Sequence, residues 1–338
     1  MNDAGARSYV YPRASAMLAR AFLGERARSL FTCSSIRDLY MKVFDGEPPA
    51  LPEVLLIRDL EKTATASFVE EFSSLLSVFP KPDEVCLRLL SLYDYDNLKV
   101  ILGALRNGDI EPPELVNTGK YSTFFPGCWP NLRKMTEKTI FSWVVDDFEK
   151  NLPINIIYNK LDKQYCRRLF SSLKELDGET QLQIKSILKE EFILQNIIWA
   201  MRLRIYHKLS VSKIIPLLTT LADGDAHGDL IAGPAVVALN KNFSDYSQWQ
   251  KWHYSFLVNP PDGSSRWVFD PTYFEQRMVS HVVKVAHRAF RMNQFSAAML
   301  VAFFRLKQQE LAYIRGASNA IHLNLNINEF PNFYKFEV

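Results

Sequence analysis

Two apolar segments about a hundred residues apart carry the same polar interruption, an asparagine set among leucines and isoleucines at helical spacing. The first runs Leu92-Tyr93-Asp94-Tyr95-Asp96-Asn97-Leu98-Lys99-Val100-Ile101-Leu102. The second runs Glu191-Phe192-Ile193-Leu194-Gln195-Asn196-Ile197-Ile198-Trp199-Ala200-Met201. Leu98, Ile101, Leu102 and Leu105 in the one, and Ile193, Ile197, Ala200 and Met201 in the other, fall on one face of a helix. A third, weaker copy, from Lys307 to Arg315, has Tyr313 where the asparagine would stand. Three acid-or-amide/Asn/apolar/basic helices at near-regular intervals predict a threefold internal repeat, and so a shaped helical body rather than a catalytic cleft.

An asparagine buried in a helix needs a partner, since an unpaired amide costs about 1–3 kcal/mol. One reading gives each asparagine a helix–helix hydrogen bond. The other makes each repeat helix line a polar interior that meets another protein. Lys99, Arg106, Arg202, Arg204, Arg305 and Arg315 lie on or near these helices. With Asn97 and Asn196 they form the set of candidate repeat-helix or socket residues. Cations late in a helix are also favoured by the macrodipole, which is the plainer account of several of them.

The rest of the chain reads as helix between proline- and glycine-marked breaks. Residues 14–44 form a helical stretch stopped by Pro48, Pro49 and Pro52. A helix is expected over 66–79, and Asp83 is a candidate N-cap for the segment leading into the first repeat helix, which Asn107-Gly108 should end. Further helices are expected at 135–148, 157–176 and 179–206, with a final helical region opened by Asp270-Pro271. The glycine- and proline-rich stretch 112–130 and the polar stretch 223–234 supply the boundaries. The expected all-α fold is three helical modules, 1–125, 126–222 and 223–338, arranged as a funnel. Two stretches depart from helical rhythm. Residues 253–269 read as a β-hairpin around Asn259-Pro260-Pro261-Asp262-Gly263. Ile321, Leu323, Leu325 and Ile327 alternate with polar residues as a strand would.

Composition narrows the function classes. A chain of 338 residues with 48% hydrophobic and 23% charged residues has the makeup of an ordinary folded protein. Its 13 glycines and 17 prolines argue against a many-turned β architecture, and a formal charge of +3 is too small for a nucleic-acid footprint. Cys33, Cys86, Cys128 and Cys166 form no Cys-x-x-Cys pair and read as free thiols in a reducing compartment. The opening residues lack the apolar stretch of a signal peptide. The longest uncharged apolar runs, 230–239 and 297–304, fall short of the roughly 20 residues a spanning helix needs. A soluble cytoplasmic protein is expected, touching a membrane only from outside.

Catalytic strings are incomplete. Asp223-Gly224-Asp225-Ala226-His227-Gly228-Asp229-Leu230 resembles a calcium loop, but Pro234 stands where the closing bidentate carboxylate belongs. The same string resembles the catalytic loop of aminoglycoside-phosphotransferase-like kinases, yet Pro234 again replaces the metal-holding asparagine. A polar turn between helices is the simpler account. Gly119-Lys120 lacks both the first glycine of a P-loop, where Glu114 stands, and its hydroxyl residue, where Tyr121 stands. No cofactor is called for.

Several motifs taken in order resemble the V/A-type rotary ATPase adapter family, whose members are named C in prokaryotes and d in eukaryotes. Tyr9-Val10-Tyr11-Pro12-Arg13-Ala14 is similar to the family's opening, and Asp96-Asn97-Leu98-Lys99 to its first Asn-Leu-Lys helix. Leu161-Asp162-Lys163-Gln164-Tyr165 resembles the segment leading into the second repeat, and Asn196-Ile197 with Arg202 and Arg204 the repeat itself. Phe303-Phe304-Arg305-Leu306-Lys307-Gln308-Gln309-Glu310 and Ile314-Arg315-Gly316 resemble the third. Gly103 and Leu105 stand where the first helix often carries arginine, and Ala317 where a lysine is usual, so the resemblance is to a divergent member. It implies a non-catalytic helical funnel, one copy per complex. The funnel would rest peripherally on the cytoplasmic face of the proteolipid ring, grip the central shaft subunits and transmit torque. The alternatives are a helical-repeat interaction scaffold unrelated to rotary machines, and a phosphotransferase-like enzyme using His227 and Asp229.

Overall fold

Proline, glycine and short polar side chains set most of the helix boundaries. The computed structural model describes residues 3–261, 263 and 266–325, and every regular element among them is helical. The α-helices follow as α1 (Asp3–Arg20), α2 (Glu25–Arg28), α3 (Ile36–Phe44), α4 (Glu53–Leu76), α5 (Glu84–Leu90), α6 (Leu92–Asn107), α7 (Leu132–Thr136) and α8 (Trp143–Glu149). Then come α9 (Ile154–Ser172), α10 (Gly178–Ile205), α11 (Val211–Ile214), α12 (Gly233–Leu239), α13 (Ser247–Gln250), α14 (Pro271–Met292) and α15 (Ala297–His322). Pro52 immediately precedes α4, and Gly108 ends α6 in the left-handed region at φ 76°. The side chains of Asp177, Asp270 and Ser296 accept backbone N–H bonds at the starts of α10, α14 and α15.

Some expectations shift. The helix expected from 66 begins at Glu53, and the one expected over 135–148 splits into α7 and α8 at a turn where Lys138 has φ 57°. Asp83 does precede a helix, but its carboxylate pairs with Arg7 at 3.1 Å instead of capping.

The hairpin expected at 253–269 is absent among its described residues. Ser255–Leu257 is a single 3₁₀ turn. The two ends are joined through Asn259, whose amide donates to Val268 O at 2.9 Å and accepts from Asp270 N at 2.9 Å. Two adjacent prolines remove the donors a ladder needs. The alternating aromatics instead fold into one cluster in which Trp249 meets Trp252 at 5.2 Å and Phe269 at 4.6 Å, ring centre to ring centre. Asp262, Ser264 and Ser265 lie outside the described residues. In the tail, Ile321 belongs to α15, and Leu323 N–H still bonds Asn319 O, so the helix overrides the strand-like alternation there. The remainder of that alternation, from 326, lies outside the described residues.

The core is organised by α15, which is buried on all sides from Ala297 to Lys307. It packs against α1, α3, α4 and α5 from the first third of the chain, and against α10 and α14. Phe303 and Phe304 meet Phe68, Phe72 and Tyr93 in an aromatic knot. Along the α4–α15 seam a polar ladder runs antiparallel: Glu53 with His322, Glu61 with Arg315 and Ser318, Glu71 with Lys307. The α9 helix packs on α5 and α6, and α10 on α12 and α14. Each third of the chain therefore touches the other two.

The polar string 223–230 is a tightly bonded turn. Asp229 accepts from Leu221 N at 2.8 Å and from Ile231 N and Ala232 N at 3.0 Å each, leading the chain into α12. Gly233 sits beneath it, and a Cβ there would lie 2.7 Å from His227 O. Gly233→Ala is expected to lower stability by about 1–3 kcal/mol, read as a shift in urea midpoint, because a backbone carbonyl must move to admit the methyl group.

Candidate functional site

The two repeat asparagines do the same job, and it is a helix-to-loop bond rather than the expected helix–helix one. Asn97 on α6 donates to Val116 O at 2.7 Å and accepts from Val116 N at 2.8 Å. Asn196 on α10 donates to Thr219 O at 2.9 Å and Ile231 O at 3.1 Å, and accepts from Thr219 N at 2.9 Å. Each amide thus pairs with both backbone groups of one loop residue, as a neighbouring strand would. Each clamps the extended chain that follows its helix back onto that helix. Both side chains are buried, so the clamps satisfy backbone groups that water does not reach. Tyr313 has no amide to do this; it is buried instead in a small cluster with Leu30 and Phe31.

The second clamp stands on the wall of a cavity of about 710 Å³, lined by α9, α10, α14 and α15. The first third of the chain adds only Leu92 to this lining. One wall is apolar, formed by Met278, Val279, Val282 and Val283 of α14. The rest of the lining includes Asp162, Glu191, Gln195, Gln308 and Gln309, with Trp199 46% exposed among them. Also in the lining, the buried guanidinium of Arg305 lies 2.7 Å from Glu191 Oε2 and donates to Gln308 Oε1 at 2.6 Å. The Arg305–Glu191 contact is short but out of line for a directed hydrogen bond, so charge attraction holds it. Burial pushes the Glu191 carboxyl above its ordinary range, and Arg305 returns only part of that.

Beside the cavity, Lys99 of α6 reaches Asp162 of α9 at 2.5 Å and Asp96 at 3.4 Å. Burial pulls the Lys99 ammonium down, but the two carboxylates outweigh it and hold it above its usual value. Asp96 is raised by burial against the opposing pull of Lys99. Another bond fixes the α10–α14 wall: Glu190 accepts from His281 at 3.0 Å and from Tyr254 at 3.3 Å. The hydrogen bond with His281 leads in holding Glu190 below its ordinary 4.5. A depressed folded-state value means stability that is present above the unfolded value and lost as pH falls through the folded one. Relative to Glu190→Gln, which does not titrate, the native protein is expected to lose urea resistance as pH drops through and below 4.5.

A family model described as ATP synthase (C/AC39) subunit matches residues 12–331. The chain belongs to that family. This is the V/A-type ATPase family that the ordered motifs resemble. The chain is also similar to an uncharacterized protein of Treponema pallidum (strain Nichols), 24% identical over 332 residues that span 93% of this chain and 92% of that one.

Within this C/AC39 fold the eight candidate residues do not form one site. Asn196 and Arg305 line the cavity, and Lys99 borders it through Asp162. Asn97 clamps the first loop. Arg106 stacks on Phe148 at 4.6 Å and bonds Asn151 and Leu152 O, tying α6 to the start of α9. Arg202 pairs with Glu275 on α14, Arg204 donates to Leu209 O at 2.8 Å, and Arg315 pairs with Glu61 at 3.1 Å. Four of the six cations are therefore spent on joints between elements away from the cavity. The residues that sequence reasoning passed over are Glu191, Trp199 and the α14 apolar face. Glu191 and Trp199 both stand inside the second repeat, and the spacing of 278, 279, 282 and 283 was the available signal for the third.

His227 and Asp229 do not make a catalytic pair. Asp229 is occupied by three backbone N–H groups, and His227 Nδ1 meets Asp225 at 2.5 Å. Among the described residues no cluster of histidine, cysteine or carboxylate side chains has the arrangement of a metal site, and no helix is long and apolar enough to cross a membrane.

Proposed function

We propose that this C/AC39 family member is the non-catalytic adapter of a V/A-type rotary ATPase. It would rest on the cytoplasmic face of the proteolipid ring, one copy per complex, and hold the tip of the central shaft during ion transport or ATP synthesis. The carrying observation is a cavity of about 710 Å³ walled by helices of the second and third parts of the chain, in a fold whose last helix packs back on its first part. The family match over residues 12–331 supplies the class of complex.

The physical demands of such an adapter are grip and stiffness. Grip needs roughly 1,000 Å² or more of buried surface, so the shaft would have to engage the cavity mouth and its surroundings as well as its floor. The apolar α14 face and exposed Trp199 supply desolvation, while Asp96 and Asp162 supply charge that would set register and assembly rate. Stiffness follows from dense packing around α15 and from the asparagine clamps, which tie loops to helices. The closing contacts between the last and first thirds count against the extended solenoid that an unrelated scaffold would form.

A pull-down through a tag on this chain, from native membranes in mild detergent, tests the reading. Recovery of shaft and ring subunits in constant ratio is the expected outcome. A membrane fraction rich in rotary ATPase from which the tag recovers none of them contradicts it.

A further inference from the structure

A second hollow of about 800 Å³ opens where α5, α7 and α9 meet the loop over 122–128. Its lining carries four cations, Arg88, Lys134, Lys138 and Arg168, and the hydroxyls of Ser122, Thr123 and Thr139. Arg88 is paired with Glu84, and Glu137 is the one carboxylate in the lining. Lys134, Lys138 and Arg168 have no acidic partner among the described residues. One polar atom of the lining residues, Arg168 Nε, is buried without a hydrogen-bond partner among the described residues. Nearby Asp94 is already engaged, accepting from Thr118, Ser122 and twice from Thr123. It holds the loop in place and does not reach Lys134, Lys138 or Arg168 as an ion-pair partner.

We infer that this hollow binds a small phosphate-bearing anion of at least two negative charges. An arginine fork and separate lysine point charges are the pair of devices that suit phosphate oxygens. Three cations without acidic partners spread over one hollow call for more acceptor oxygens than a single carboxylate has. Phe125, 59% exposed at the rim, offers an apolar surface beside the anion for a base or an acyl stem. The anion can come free in solution as a polyphosphate or attached to a lipid as its headgroup. This inference is independent of the adapter reading.

Full-length protein titrated with sodium pyrophosphate in a calorimeter provides the first arm. The second is co-sedimentation with phosphatidylcholine vesicles with and without phosphatidic acid. Expected is one pyrophosphate per chain, weakened roughly tenfold or more in Arg168→Gln and in the double variant Lys134→Gln/Lys138→Gln. The two lysines are exposed, so the double variant should melt as the native protein does even if Arg168→Gln does not. Arg133→Gln, whose exposed partner Glu149 lies outside the hollow, should bind as native protein does. Sedimentation only with phosphatidic acid, reversed by pyrophosphate, assigns the anion to a headgroup; pyrophosphate binding with no sedimentation assigns it to a soluble phosphate. The inference is overturned by absence of binding in both arms, by binding that neither variant weakens, or by a polyglutamate peptide binding where pyrophosphate does not.

Discussion

Glu191→Ala is expected to destabilise the protein by about 3–5 kcal/mol, the cost of leaving a buried guanidinium without its counter-charge. The Arg305 and Glu191 side chains are only 6% and 12% exposed, so solvent does little to screen the charge that remains. Arg305→Met should cost a similar amount, now leaving the carboxylate alone. The double variant Glu191→Leu/Arg305→Met should be much closer to native, within about 2 kcal/mol, because both desolvation penalties disappear together. The urea-unfolding cycle of these variants is the check. Additive losses would mean that each side chain serves the fold through packing rather than through the other's charge. The raised carboxyl of Glu191 points the same way: burial acts on it more strongly than its partner does.

Asn196→Asp is expected to cost about 2–4 kcal/mol at neutral pH. The new carboxylate would face the carbonyls of Thr219 and Ile231, acceptor against acceptor, where the native amide donates to both. A proton restores one donor, so the folded-state carboxyl value of this variant should be raised. The sign then follows: a raised folded value gives stability that is present at low pH and lost as pH rises through it. Asn196→Asp should recover part of its loss on mild acidification, and Asn196→Ala should not. Asn97→Asp should behave in the same direction with a smaller loss, since a single carbonyl, that of Val116, is at stake. Equal pH profiles for the aspartate and alanine variants would remove the clamp from the account.

What was legible from sequence was local. The αL stop at Gly108, the cap at Asp270 and the break before α4 are each decided by one or two side chains acting on adjacent backbone. The repeated asparagines marked two helices that turned out to use one device. Their partners were not legible, because Val116 and Thr219 arrive by loop closure and no pattern of side chains announces it. The same holds for Arg305, named as a candidate, and Glu191, whose pairing depends on how α10 meets α15. Two β-prone runs misled at 253–269, where prolines and a shared aromatic cluster override them, and alternation misled at 321–323, where α15 continues through the pattern. The second hollow was invisible for another reason: its four cations come from α5, α7, the following turn and α9.

The proposed adapter role requires that the cavity beside Arg305 receive a shaft. Benzoylphenylalanine placed at position 199, an exposed aromatic site on the cavity wall, tests it by photo-crosslinking in native membranes, with position 237 on α12 as an exposed site outside that lining. An adduct with a central-shaft subunit is expected from position 199 and none from position 237. An assembled complex in which position 199 yields no shaft adduct, or no more than position 237 does, would contradict it.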